Sequence, residues 1–281
     1  MSTMTRSAII AEARIRAGRK AQTISLDNAF DDILKKMTTD YPLLRNICHP
    51  FTTVASQAWV ALPSDYRSYE QCFYDDDELI WMEPEEYFNW IRSETDTAST
   101  PSRFTIVKDE SRLYLWPKPN AATAGYLYYA AIHPKMEKTV PFTSGGTYEI
   151  KRGDTITGHT SSKTMVVNFI RLTGGSWAGG DAAGTMLGTP SGTMQSENLD
   201  VGANLNVATI AADATTVDNS PHFIGEDFDE AIIEGVAWKA LELIEDDLRA
   251  AKKETLFLNI LKDKAAVKLA RKRVRTPYRG Y

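Results

Sequence analysis

Twelve of the 17 glycines lie between residues 143 and 220. Such a stretch resists helix formation, because each glycine costs a helix about 1 kcal/mol relative to alanine. The same 78 residues hold only three aromatics, Tyr148, Phe169 and Trp177. Short alternating runs (147–153, 164–172, 184–189 and 204–210) lie between the glycines. Runs of this kind, separated by Gly and Ser turns, predict an all-β unit. The flanks, 1–142 and 221–281, carry the charge, the aromatics and the long helical patterns. The shift at both edges predicts a β-domain, 143–220, inserted at an exposed loop tip of a host.

In the host, Ile9, Ile10, Ala13, Ile15 and Ala17, on or near one side, predict a helix over 5–19. Phe30, Ile33, Leu34 and Met37 predict a second over 27–46, with Asp27 as N-cap. Extended segments follow around 51–61, 67–74 and 78–82. Pro84 opens a short helix through Ile91. Segments 103–108 and 112–116 pair across the turn Asp109–Ser111, and a strand covers 125–132. After the insert, Phe228, Ile232, Val236, Ala240, Ile244 and Leu248 recur every four residues and predict a helix over 226–249. A last helix, about 253–273, ends before Thr276-Pro277. The predicted fold class is α+β: a helical-bundle host with a small antiparallel β part, plus an inserted all-β domain. The expected parts are the host's first part (1–142), the insert (143–220), closing helices (221–261) and a basic helix end with an extended arm (262–281).

Net charge is −5, unevenly spread. Residues 262–281 hold eight basic residues and one acid, a charge of +7, which leaves −12 on residues 1–261. Two readings stay open for the basic end: a solvated helix terminus whose cations complement the dipole, or a surface for a partner.

Several functional classes lack their signatures. No run approaches the 18 or so apolar residues of a membrane helix, and the opening segment has no apolar core of a secretory signal. Two cysteines, Cys48 and Cys72, support no disulfide framework and fit a reducing cytosol. Cys48-His49 and the scattered His133, His159 and His222 do not have metal-ligand spacing. The consecutive acids Asp75–Glu78 lack the alternation and glycine of a calcium loop and predict a solvated turn. Residues 188–192 fail the nucleophile-elbow pattern, and no phosphate loop occurs. The expectation is a protein that is not an enzyme, with no cofactor, no metal and no membrane. Residues 148–156 look like the opening of a LysM glycan-binding motif but continue into a predicted strand, not a helix.

Trp59–Tyr66, Leu79–Tyr87, the β segment Pro101–Val107, Arg112–Pro119 and Tyr126–Ala130, and the closing Pro221–Gly235 and Ala240–Asp247, occur in an order and spacing that resembles the head-to-tail adaptor (connector) proteins of tailed bacteriophages, the short-tailed kind above all. Segments 153–161, 175–184 and 191–197 look like a small β module of phage structural proteins, used there as decoration or attachment point. The resemblance implies a virion protein at the head-tail junction, made in the host cytoplasm. It implies a homo-oligomeric ring of twelve beneath the portal protein, joined below to a tail nozzle or tail tube protein, with a tail fibre as a partner of 143–220. It also gives the basic end a role. Arg271, Lys272, Arg273, Arg275, Tyr278, Arg279 and Tyr281 would form a portal-binding arm. Non-specific contact of these cations with DNA in the channel is the alternative for the arm. A host-surface or glycan-binding tail protein using the β insert is the alternative for the chain.

Overall fold

In the computed structural model, which describes residues 4–93, 97–143, 146, 148–177, 179–211 and 219–273, the chain opens with a capped helix. The Thr5 hydroxyl accepts the Ala8 N–H at 3.3 Å, satisfying one of the orphan donors of α1 (Arg6–Ala17). Next come α2 (Asp27–Asp40), β1 (Leu44–Thr52), β2 (Trp59–Ala61), β3 (Tyr66–Tyr74), β4 (Asp77–Glu78) and β5 (Ile80–Trp81). Helix α3 (Pro84–Ser93) precedes β6 (Arg103–Val107), β7 (Arg112–Trp116), β8 (Ala124–Ala131) and β9 (Lys138–Phe142). The glycine-rich stretch supplies β10 (Thr155–Gly158), β11 (Thr164–Val166), β12 (Phe169–Gly174), β13 (Ala183–Gly188), β14 (Glu197–Val201) and β15 (Asn204–Ile210). Helices α4 (Asp229–Leu243) and α5 (Asp247–Arg273) follow.

The expected helical-bundle host is overturned. Among the described residues the protein is mostly β, with fifteen strands in four small sheets against five helices. The stretch from Leu44 to Ile132 forms a compact unit of its own, and residues 1–43 with 133–281 form the other. Helix α2 stops at Asp40 rather than 46, because Pro42 holds Tyr41 extended (φ −129°, ψ 142°). The helix expected over 226–249 is two helices. They break at Glu245, whose φ of 59° no α-helix accepts.

In the unit from Leu44 to Ile132, one antiparallel sheet has the order β1-β8-β3-β4. Strand β8 is central, with Leu127 opposite both His49 and Cys72. The second sheet has the order β2-β7-β6-β5, antiparallel except that β5 runs parallel to β6. Asp75–Glu78 form the exposed turn and strand that follow β3. Gly125 is required by contact. A Cβ there would lie 2.4 Å from the Phe51 ring and 2.8 Å from the Phe73 carbonyl oxygen.

In the other unit, the apolar faces of α1, α2, α4 and α5 share one core. A second core lies among β9–β15, where β9 pairs with β13 (Val140 opposite Met186) and Phe142 stacks on Trp177 at 5.3 Å. The chain entering β9 is tied to the helices through His133. Its backbone N–H donates to the Thr38 hydroxyl at 2.8 Å, and its ring stacks on Phe223 at 5.6 Å. Since the Phe223 N–H donates to Nε2, the proton sits on Nδ1 and is donated to the Pro134 carbonyl at 2.7 Å. Both ring nitrogens are thus used by the neutral form. Burial, the largest cause, lowers the His133 pKa from its usual 6.5 to about 3.

Two outcomes follow. Gly125→Ala is expected to lower stability by about 1–3 kcal/mol, read as a lower urea midpoint at constant slope. His133 contributes stability that is complete above pH 6.5, its unfolded value, and is lost as pH falls toward about 3. In that window the unfolded chain binds one more proton, a slope of about 1.4 kcal/mol per pH unit. His133→Gln should remove that part of the pH dependence in a series of urea melts. An unchanged slope would show that His133 does not carry it.

Candidate functional site

The basic end is carried by α5, so the site begins with what holds that helix. Phe257, Leu261 and Ala265 bury the inner face of α5, and Phe257 stacks on Trp238 of α4 at 5.9 Å. Gly235 leaves room for this. A Cβ there would lie 2.9 Å from Ile33 and 3.1 Å from Phe257.

Glu234 of α4 is only 3% exposed. Its carboxylate accepts from Arg16 of α1 at 2.5 Å and from Lys253 of α5 at 2.6 Å. Arg16 also reaches Glu230 at 2.6 Å, and that hydrogen bond is the main cause holding Glu230 below the usual carboxylate range. Arg249 of α5 donates to the Ala17 carbonyl at 3.0 Å, covering the end of α1.

Toward the other end of α5, Lys268 Nζ donates to the carbonyls of Leu43 (2.9 Å) and Ile224 (2.7 Å) and lies 5.1 Å from the Phe228 ring centroid. This cation, one of the eight that make the end basic, is committed inside the fold. Lys262 and Lys264 stay exposed. Arg271, Lys272 and Arg273 form the last turn of α5. Arg275, Tyr278, Arg279 and Tyr281 lie outside the described residues.

A different surface occurs in the unit from Leu44 to Ile132. A cleft of about 330 Å³ is lined by Tyr69, Glu70, Glu78, Ile80, Trp81 and Phe104, among others. Tyr69 and Trp81 stack at 4.3 Å with a 15° interplanar angle, and Phe104 packs edge-on against both. Ile80, in edge strand β5, is 64% exposed. Glu70 is paired with Arg45.

His159 pairs with Asp200 (2.9 Å) and His222 with Asp229 (2.6 Å). Among the described residues no three His, Cys, Asp or Glu side chains converge as a metal site would require. Neither cysteine forms a disulfide, and Cys72 is buried. The segment resembling a LysM opening runs into β10 and then antiparallel β11.

Residues 4–149, just over half of the chain, match the family model described as SU10 adaptor protein. The chain belongs to the SU10 adaptor protein family. No curated protein matches it. In this SU10 adaptor the matched range runs from α1 through β9 and ends before β10, so α4 and α5 lie beyond it. Membership supports a bacteriophage structural adaptor role and a location in the virion. No helix among the described residues is long and apolar enough to cross a membrane.

Sequence reasoning missed the anchors. Lys268 continues the stripe Phe257, Leu261, Ala265 at helical spacing, and a lysine on an apolar stripe was the available signal. Glu234 sits on the buried side of α4 between Ala231 and Ala237, an equally legible misfit.

Replacing both Arg16 and Lys253 by Met should leave the Glu234 charge uncompensated and cost about 3–5 kcal/mol. Glu234→Gln, which frees two partly exposed cations to rehydrate, should cost less, about 1–2 kcal/mol. Denaturant midpoints of the variants test this order; its reversal would show that Glu234 does not organise the helices.

Proposed function

We propose that this SU10 adaptor forms a ring beneath the portal and joins it to the tail, through a nozzle or tube protein. The ring is taken as twelve copies, and the protein has no catalytic turnover. The reading is supported by family membership together with one observation about charge. An acidic body of −12 carries a +7 end, and the helix bearing that end is fixed to its own unit by Lys268. Beyond the anchor, Arg271, Lys272, Arg273, Arg275, Tyr278, Arg279 and Tyr281 are the proposed portal contact. Tyr and Arg are the usual anchors of such interfaces. The β module 143–220 is proposed as decoration or as a fibre attachment point.

Truncation after Lys268 keeps the anchor and removes the contact. The truncated protein should stay folded by circular dichroism and no longer be captured by portal rings in a pull-down. Tyr278→Ala with Tyr281→Ala should weaken capture at least about tenfold, or about 1.4 kcal/mol, at unchanged charge. Normal capture of the truncated protein would move the contact elsewhere. If the end instead touched DNA in the channel, binding would fall with salt at a log–log slope of about −0.9 per phosphate and ignore the tyrosine changes.

A further inference from the structure

The Tyr69–Trp81 stack differs from Trp90 and Trp59 of its unit. Arg103 lies 4.4 Å over Trp90, and Arg112 lies 4.1 Å over Trp59. Among the described residues no cation lies over Trp81 or Tyr69. The acids beside it are also without cations. Glu78 accepts from the neutral Gln71 amide at 3.3 Å and Glu83 from the Trp81 indole N–H at 3.2 Å. Neither forms an ion pair among the described residues. Asp75, Asp76 and Asp77, in the turn and strand leading to Glu78, are exposed. An aromatic face flanked by unneutralised carboxylates is the environment that guanidinium groups favour: cation–π attraction from the ring and charge-assisted hydrogen bonds from the acids.

The chain holds one segment of matching chemistry. Residues 271–281 contain five cations and two tyrosines and no acid. The eight residues beyond α5 can span at most about 27 Å if fully extended.

We propose that in the free protein this cleft seats residues 271–281 of a second copy of the chain, with an arginine laid on the Tyr69–Trp81 stack and neighbouring cations facing Glu78 and Glu83. The inference rests on reading that segment as a docking element: the cleft holds it until a portal is met. A segment that leaves one copy and lands on a different surface of the next makes a heterologous contact. Repeated, such contacts generate a ring when the rotation closes. The link belongs to the free protein, since in the portal-bound ring the same residues contact the portal.

The test is sedimentation velocity on the full chain at low salt, with charges exchanged across the contact. Glu78→Lys and Arg279→Glu should each weaken self-association about tenfold, and the two together in one chain should restore most of it. Trp81→Ala should weaken association as well. Glu78 is exposed, so its substitution tests the contact even if Trp81→Ala fails to fold. As a second readout, full chains carrying Ile80→Cys and Gly280→Cys should form a heterodimer with a short bismaleimide only when mixed. Failure of the charge exchange to restore association, additive losses, no self-association of the unmodified chain, or cross-linking confined to one chain carrying both cysteines would overturn the proposal. Portal capture separates this from the docking reading. Glu78→Lys should leave capture intact. If the exchange fails while truncation after Lys268 still abolishes capture, the cleft proposal falls and docking stands. If the exchange succeeds and capture ignores truncation, docking falls alone.

Discussion

A carboxylate removed from water must be met by cations or give up its charge, and Glu234 is met from two directions. Desolvating an ion costs several kcal/mol, which only close, hydrogen-bonded partners recover. Arg16 and Lys253 come from helices far apart in sequence. The charge on α4 is therefore tolerable only when α1 and α5 are both in place. That makes docking of the three helices conditional on one another in a way that apolar contacts do not, since a greasy face can be covered by many arrangements. Gly235, the next residue, removes the side chain that would hold α2 and α5 away. The charge selects the arrangement, and the missing Cβ permits its closeness.

The sequence was legible where one periodicity dominates. Ile9, Ile10, Ala13 and Ala17 mark α1, and Phe30, Ile33, Leu34 and Met37 mark α2; these are buried, whereas Ile15, read onto the same side of α1, is exposed. Glycine and alternation likewise marked β11, β12, β13 and β15, whereas β10 and β14 lie outside the runs read and 148–153 forms no strand. From Leu44 to Ile132 the segments were legible but their pairing was not. There strand residues are aromatic on both faces: Tyr126, Tyr128 and Tyr129 in β8, Tyr66, Tyr69, Phe73 and Tyr74 in β3. Two-faced strands lose strict alternation, yet the segments 67–74, 103–108, 112–116 and 125–132 were read as extended and are strands; what was missed is the start of β1, read as the end of the second helix. The parallel pairing of β5 with β6 has no local signature at all, because it depends on where the chain returns after α3.

Charge was misread for a related reason. A count of cations treats each as a surface feature, yet Lys268 commits its ammonium to two backbone carbonyls and an aromatic face. Its long apolar stem lets it lie along the buried side of α5 while the charge finds oxygen. Likewise Glu70, counted among the acids of the aromatic cleft, is neutralised by Arg45 from β1, whereas Glu78 and Glu83 are not. The useful quantity is the charge left over after internal pairing, which composition does not contain.

Helix α5 runs from Asp247 to Arg273, about 40 Å at 1.5 Å per residue. Its attachments lie along that length: Arg249 at the start, Lys253 and Phe257 next, Lys268 near the end. A pull on its last turn directed along the axis would be shared by all of these at once, in shear, with no single contact failing first. The same pull directed across the axis would meet them one by one, beginning with Lys268. The helix is in this sense a mechanical strut with a preferred direction of load, stiff when tugged lengthwise and weak when peeled.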